Sequence, residues 1–314
     1  MKLTRSEVAA FLARRNDFCI LTHRRPDGDT VGSAAALCLG LRKIGKKAYI
    51  LQNPELSGKL AFLHEGLTKD SMDAGDTLVS VDTAAEHMLT RGFSEGNVAL
   101  RIDHHGTDVG YTETELVDPA AAACGDIIYD VLMELGVTLD AEIAKALYVS
   151  VAADTGCFRF ANTTAHTYEV AAACAATGAD LYPITQALFD TNSITKLRIH
   201  SWIVDNTRFL MDGKVAICAM PKEIEEQATA DDMDNIAGFL RSIEGVKLCA
   251  LLRQRSDGCV RASLRAVPGY DAAAVCGKFG GGGHKGAAGA TLNLPLEQAE
   301  QAVEQAMLEM AVEV

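Results

Sequence analysis

Residues 18–33 read FCILTHRRPDGDTVGS, and the order of residue types there decides what kind of fold the chain can build. FCILT (18–22) is a short apolar run of the kind buried inside a sheet. It breaks at His23 into a polar loop, and Asp27-Gly28-Asp29 leads into an Ala/Leu-rich helix over 31–44. KAYILQ (47–52), TLVSVD (77–82) and VALRID (98–103) are three more such runs, and helical segments cover 122–135, 140–153 and 165–177. Strands alternating with helices predict a doubly wound parallel sheet. In such a sheet ligands sit outside the carboxyl ends of the strands.

Beyond residue 190 the texture changes. TNSITKLRIHSWIVDNTRFL (191–210) has a helical period, so residues 191–206 are predicted to form a helix connecting domains over 1–190 and 207–314. RFLMDGKVAICAM predicts a hairpin about Asp212-Gly213, and GVKLCALLRQRSDGCVRASLRA a second about Asp257-Gly258. Asp-Gly between apolar runs is a strong hairpin signal. Helices over 232–242 and 295–311 complete a smaller α+β domain. The expected fold is α/β, with the active site in the interdomain cleft.

The 314 residues are 48% hydrophobic with mean hydropathy +0.08, which predicts a soluble protein with a sizeable core. No long uninterrupted apolar run suits a membrane span. Arg14 and Arg15 fall where a secretory leader would be apolar, so a cytoplasmic location is expected. The nine cysteines form no C-x-x-C pair, which favours reduced, buried thiols over disulfides or a zinc site. A net charge of −13 argues against a long nucleic-acid partner. Between Lys247 and Lys285, however, seven Lys/Arg face two acids, which suits a small anionic ligand.

The ends of the elements carry the chemistry. The first strand runs into His23, Asp27 and Asp29; the third ends at Asp82; the fourth ends in Asp103-His104-His105; a helix ends at Asp154. Singly, each has an ordinary explanation as a turn, a cap or a helix stop. Together they would bury carboxylates at a cost that only a cation offsets. Oxygen and imidazole ligands without thiolate point to Mn2+ or Mg2+, with Fe2+ or Co2+ as substitutes. So many candidates fit two ions about 3.5–4 Å apart with a shared carboxylate, as in two-metal phosphate-ester hydrolysis.

HRRPDGDTVGS (23–33), VSVD (79–82), DHH (103–105) and AADTGCFRF (152–160), in that order, resemble the motifs of the DHH phosphoesterase superfamily. FGGGGHKGAAGA (279–290) resembles the glycine-rich motif of the DHH-associated C-terminal domain. Layout and length most resemble the bacterial nanoRNase and pAp (3′-phosphoadenosine 5′-phosphate) phosphatase branch. The resemblance implies one Mn2+ held by His23, Asp27 and Asp82, and another by Asp29, Asp82, His104 and Asp154, with Mg2+ or Co2+ as substitutes. It implies that His105 faces the scissile phosphate and that Asp103 orients a histidine by a hydrogen bond.

Four successive glycines let a backbone approach an anion closely, and His284 adds a donor beside them. Within the basic segment, Gly281, Gly282, Gly283 and His284 are expected to clamp the far end of the substrate, and Arg265 resembles a family position that contacts that end. The expected substrates are short single-stranded RNA, linear di-adenylate included, and small nucleotides such as pAp. No membrane partner is expected, and a homodimer is the expected assembly if the chain associates. A pyrophosphatase or polyphosphatase is the alternative enzyme, but those relatives usually lack the glycine-rich clamp. A catalytically inactive nucleotide-binding regulator is the alternative outside enzymes, and the intact set of ligands disfavours it.

Overall fold

The computed structural model describes residues 1–93, 96–106, 110–229, 231–233 and 235–312. They form two compact units, Met1–Thr191 and Asn192–Val314.

The first unit opens with α1 (Arg5–Ala13), absent from the sequence expectations although its start is written in the chain: Thr4 and Glu7 form a reciprocal capping box. Its sheet comprises β1 (Asp17–Leu21), β2 (Lys47–Leu51), β3 (Thr68–Lys69), β4 (Thr77–Val81), β5 (Leu100–Asp103) and β6 (Glu115–Val117). All pairings are parallel and the order is β3-β2-β1-β4-β5-β6. The chain thus winds outward from the centre in both directions, and the order switches between β1 and β4. Four of these strands follow the apolar runs of the sequence. β3 and β6 have two and three residues, too few to show a period.

The helices are α2 (Gly28–Lys43), α3 (Cys124–Glu134), α4 (Ala141–Asp154), α5 (Ala165–Ala176) and the short α6 (Tyr182–Thr185). Phe18, Ile20, Val79 and Ile102 pack with Leu37, Leu41, Ile127 and Leu147 in the main core. Cys19, Leu21, Tyr49 and Leu51 make a smaller cluster with Leu89 and Val98 on the other face. Two glycines decide how closely α2 crosses α4. A Cβ on Gly28 would meet the Ala153 Cβ at 2.5 Å, and one on Gly32 the Ala146 carbonyl at 2.4 Å. The contact draws the start of α2 against the end of α4.

The second unit begins with α7 (Ile194–Asn206), and continues through β7 (Arg208–Leu210), β8 (Val215–Met220), the short α8 (Lys222–Glu225), α9 (Ile236–Arg241), β9 (Leu248–Gln254), β10 (Val260–Ala266), α10 (Ala272–Gly277), β11 (Gly282–His284), β12 (Ala287–Leu292) and α11 (Leu296–Val312). Its sheet runs β11-β12-β10-β9-β8-β7, antiparallel except where β8 meets β9. Both Asp-Gly hairpins form, with Asp212 and Gly213 in the left-handed region. The helix expected over 232–242 is shorter, because Asn235 at φ 50° interrupts it and α9 starts after it. Val260, Ala262 and Leu264 face a core shared with α10 and α11. The opposite face of β8 and β9 is covered by Ile199 and Ile203 of α7 and Leu240 of α9. All nine cysteines are free and seven are buried. No helix among the described residues is long and apolar enough to cross a membrane.

Candidate metal centre

β1 ends within the sheet and delivers His23 just past its carboxyl end. Asp27 caps α2, accepting from the Asp29 and Thr30 amides at 3.1 and 3.2 Å. Asp82 follows β4 at the switch between β1 and β4, with φ 50°, a left-handed conformation costly for a non-glycine residue. Its amide donates to the Ile102 carbonyl at 2.9 Å, which ties it to the neighbouring strand. His104 and His105 follow β5, and Asp154 is the last residue of α4. Neighbouring strand ends and a glycine-tight helix crossing therefore gather residues scattered over 131 positions of sequence, from His23 to Asp154.

Asp82 stands between two clusters. Its Oδ2 lies 3.6 Å from His23 Nε2, which is 3.5 Å from Asp27 Oδ1. Its Oδ1 lies 3.4 Å from His104 Nε2, which is also 3.2 Å from Asp154 Oδ2 and 3.6 Å from Asp29 Oδ2. His23–Asp27–Asp82 and Asp29–His104–Asp154 each present donor atoms within 4.8 Å of one another, as do Asp82, His104 and His105. Asp82 Oδ1 and His104 Nε2 are fully buried with no hydrogen-bond partner, a costly arrangement for a polar pair unless something else satisfies both. Ligands of one divalent ion at about 2.1 Å sit about 3 Å from each other, so these separations suit a cation. The donor set of carboxylate oxygens and imidazole nitrogens fits Mn2+ or Mg2+.

The electrostatics agree. Burial pulls the His104 imidazole down, but Asp154, Asp82 and Asp29 outweigh it and hold its pKa up to about 12. Burial likewise opposes His23, yet Asp27 and Asp82 lift it to about 10. Burial, with Asp82 and Asp154 nearby, pushes the Asp29 carboxyl well above the usual range. This is a pocket built for positive charge.

Asp29 also has a structural task. α3 starts at an N-cap, Ala123, with no side-chain cap. The Asp29 carboxylate takes that place from α2, accepting from Cys124 N at 2.7 Å and Gly125 N at 3.2 Å. Ser33 Oγ and Ser150 Oγ donate to it as well. Asp103 is fully buried; its Oδ1 accepts from His105 Nδ1 at 2.8 Å and from the His104 amide at 2.8 Å. Burial raises this carboxyl, but His105 and Arg101 outweigh it and draw it down to about 2. Arg101 escaped the sequence analysis because it sits inside a strand, where alternation alone marks it as a core position.

The substrate residues named from the sequence lie in the second unit. Gly282, Gly283 and His284 form the edge strand β11, paired to Gly289, Ala288 and Ala287. The glycines are there partly for packing: a Cβ on Gly281 would meet the Gly289 carbonyl at 2.3 Å, and one on Gly283 the Ala287 carbonyl at 2.6 Å. Register places Arg265 and His284 either side of Ala287, in one row on one face of the sheet. Arg253 and Arg261 lie in a parallel row of the same face, and Arg261 Nη2 comes within 3.3 Å of where a Gly289 Cβ would be. The alternation in VRASLRA could have paired Arg261 with Arg265 from sequence.

Residues 17–151 match the family model described as DHH family, N-terminal domain, and residues 212–311 that of the DHHA1 domain. The chain is 34% identical to the bifunctional oligoribonuclease and PAP phosphatase NrnA of Thermus thermophilus, over 92% of this chain and 89% of that protein. Its identity to NrnA of Bacillus subtilis is 28%, over 87% and 89%. Among solved structures, an exopolyphosphatase-related protein from Bacteroides fragilis aligns with TM-score 0.85 at 20% identity, covering 97% and 95% of the two chains. At that identity the likeness speaks for the fold. Family membership makes the protein a hydrolytic enzyme and implies dependence on a divalent metal. On both matched domains and the extended identity to NrnA, the chain belongs to the DHH family of phosphoesterases.

Proposed function

We propose that the protein is a Mn2+-dependent phosphodiesterase and phosphatase that releases mononucleotides from very short oligoribonucleotides, linear di-adenylate among them, and converts pAp to AMP. One observation carries the reading: Asp82 turns one carboxylate oxygen to each of two His/Asp clusters. His23, Asp27 and Asp82 would hold one ion, and Asp29, Asp82, His104 and Asp154 the other. Bound there, the ions supply Lewis acidity toward phosphoryl oxygens and lower the pKa of a water. His105, with Nδ1 engaged by Asp103, meets the scissile phosphate through Nε2 and assists the proton transfers. Arg265, Gly281, Gly282, Gly283 and His284 hold the substrate's other end. The names of the Thermus and Bacillus relatives support this substrate class.

The test is to incubate purified protein with Mn2+, Mg2+ or Co2+ and di- to decaribonucleotides, pAp and pyrophosphate separately. Fast release from dinucleotides, falling steeply beyond five residues, is expected, with Mn2+ the most effective metal. Turnover of pyrophosphate alone overturns the reading.

A further inference from the structure

Arg101 is the largest fully buried side chain of the first unit, 1% exposed in the middle of β5. Its Nε and Nη2 donate to Asp103 Oδ2 at 3.1 and 2.5 Å, and its Nη1 lies 3.4 Å from Glu115 Oε2, directly across on β6. Its guanidinium also lies 5.5 Å from the centre of the Tyr111 ring, whose hydroxyl donates to the Thr83 carbonyl at 3.0 Å. Packing alone does not call for a guanidinium here, because apolar side chains replace buried ion pairs with little or no loss of stability. What the arginine does is occupy Asp103 Oδ2. The other oxygen is then left for the His104 amide, the His105 amide and His105 Nδ1, at 2.8, 3.2 and 2.8 Å.

We infer that Arg101 is a positioning residue for the reaction: it clamps Asp103 in one rotamer, so that Asp103 fixes the ring orientation and the Nδ1–H tautomer of His105. The inference rests on the proposed function, in which His105 Nε2 meets the scissile phosphate. A residue that only bridged β5 to β6 would change stability without touching the imidazole.

The experiment compares Arg101→Met, Arg101→Lys, Glu115→Gln, His105→Ala and the Arg101→Met/His105→Ala double variant, each loaded with metal. Readouts are kcat and KM on a ribodinucleotide, Mn2+ affinity, Tm, and the 15N resonances of the histidine rings with Mg2+ in place of paramagnetic Mn2+. Arg101→Met is expected to lower kcat about 10- to 100-fold, the usual cost of losing an outer hydrogen-bonding partner, with KM and Mn2+ affinity within about threefold. The His105 ring signals shift from the Nδ1–H pattern to a tautomer mixture, and Arg101→Lys restores part of kcat. The double variant is no slower than His105→Ala, since one pathway carries both losses. Losses that multiply, or a fall in Tm with kcat per folded molecule and the His105 signals unchanged, overturn the inference. If Arg101→Met does not fold, Glu115→Gln serves, since it loosens the far end of the clamp: a change in kcat and in the His105 signals supports the inference, and a change in Tm alone overturns it. Should the wild-type protein cleave no dinucleotide, the proposed function fails, while the His105 signals still decide whether Arg101 sets the tautomer.

Discussion

Gly32 on α2 packs against the backbone of Ala146 on α4, leaving no room for even a methyl group. The approach fixes more than a helix crossing. Asp29 lies one turn from Gly32 on α2 and Asp154 two turns from Ala146 on α4, and both carboxylates face His104 Nε2, at 3.6 and 3.2 Å. Helix spacing sets the width of a candidate metal site.

Gly32→Ala should therefore destabilise the protein by about 1–3 kcal/mol, the usual cost of overpacking a core. It should also weaken Mn2+ binding, because separating the helices spreads the carboxylates. Urea unfolding and metal titration check both. Unchanged Mn2+ affinity in a destabilised variant would uncouple the crossing from the site.

Asp82 touches both clusters, so Asp82→Ala should lower activity more than about a hundredfold, beyond the loss expected for an outer partner. Chelation should lower the Tm of the wild type, and Mn2+ at about 100 times its Kd should restore about 2.7 kcal/mol. Asp82→Asn should lose that metal response, since it removes the carboxylate charge that faces both clusters. A full metal response in Asp82→Asn would refute the sharing of this carboxylate.

Arg261 lies on the basic face of the second unit, over the small residue Gly289. Arg261→Ala should raise KM for dinucleotides about tenfold, leave kcat within about twofold, and reduce the salt dependence of binding by about one charge. Kinetics at several salt concentrations measure this. A fall in kcat at constant KM would place Arg261 in the chemistry instead.

His64 is 3% exposed and hydrogen-bonds the Val31 carbonyl through Nε2 at 3.2 Å. Burial holds its pKa below the ordinary 6.5. The folded protein keeps it neutral and the unfolded chain protonates it, so its contribution is intact above about pH 6.5 and is lost as pH falls. His64→Gln preserves a donor and does not titrate. Relative to that variant, the wild type should lose stability progressively as pH falls below about 6.5, measured by urea unfolding. Parallel pH curves would exclude His64 as the titrating group.

Much of this is legible in the sequence itself. The runs at 18–22, 47–52, 77–82 and 98–103 show as strands because burial within a sheet demands apolar side chains throughout. His23, Asp82, His104 and Asp154 stood out because charged residues at the ends of such runs have few structural excuses. α1 was missed although Thr4 and Glu7 marked its start, and β3 and β6 were missed because they are shorter than one readable period. Arg101 was invisible as an actor, since nothing local tells a buried arginine's partners.

By itself, then, the sequence marked four strands of the first sheet, both Asp-Gly hairpins and the inventory of Asp and His, through local periodicity and turn residues, and its motifs carried the resemblance to the family. Only the tertiary structure decided which oxygen of Asp82 faces which histidine, that Asp29 also caps α3, that the glycine run is an edge strand, and that Arg101 holds Asp103. Those relations join residues far apart in the chain or turn on side-chain orientation, and both are settled by packing, which a linear pattern does not encode.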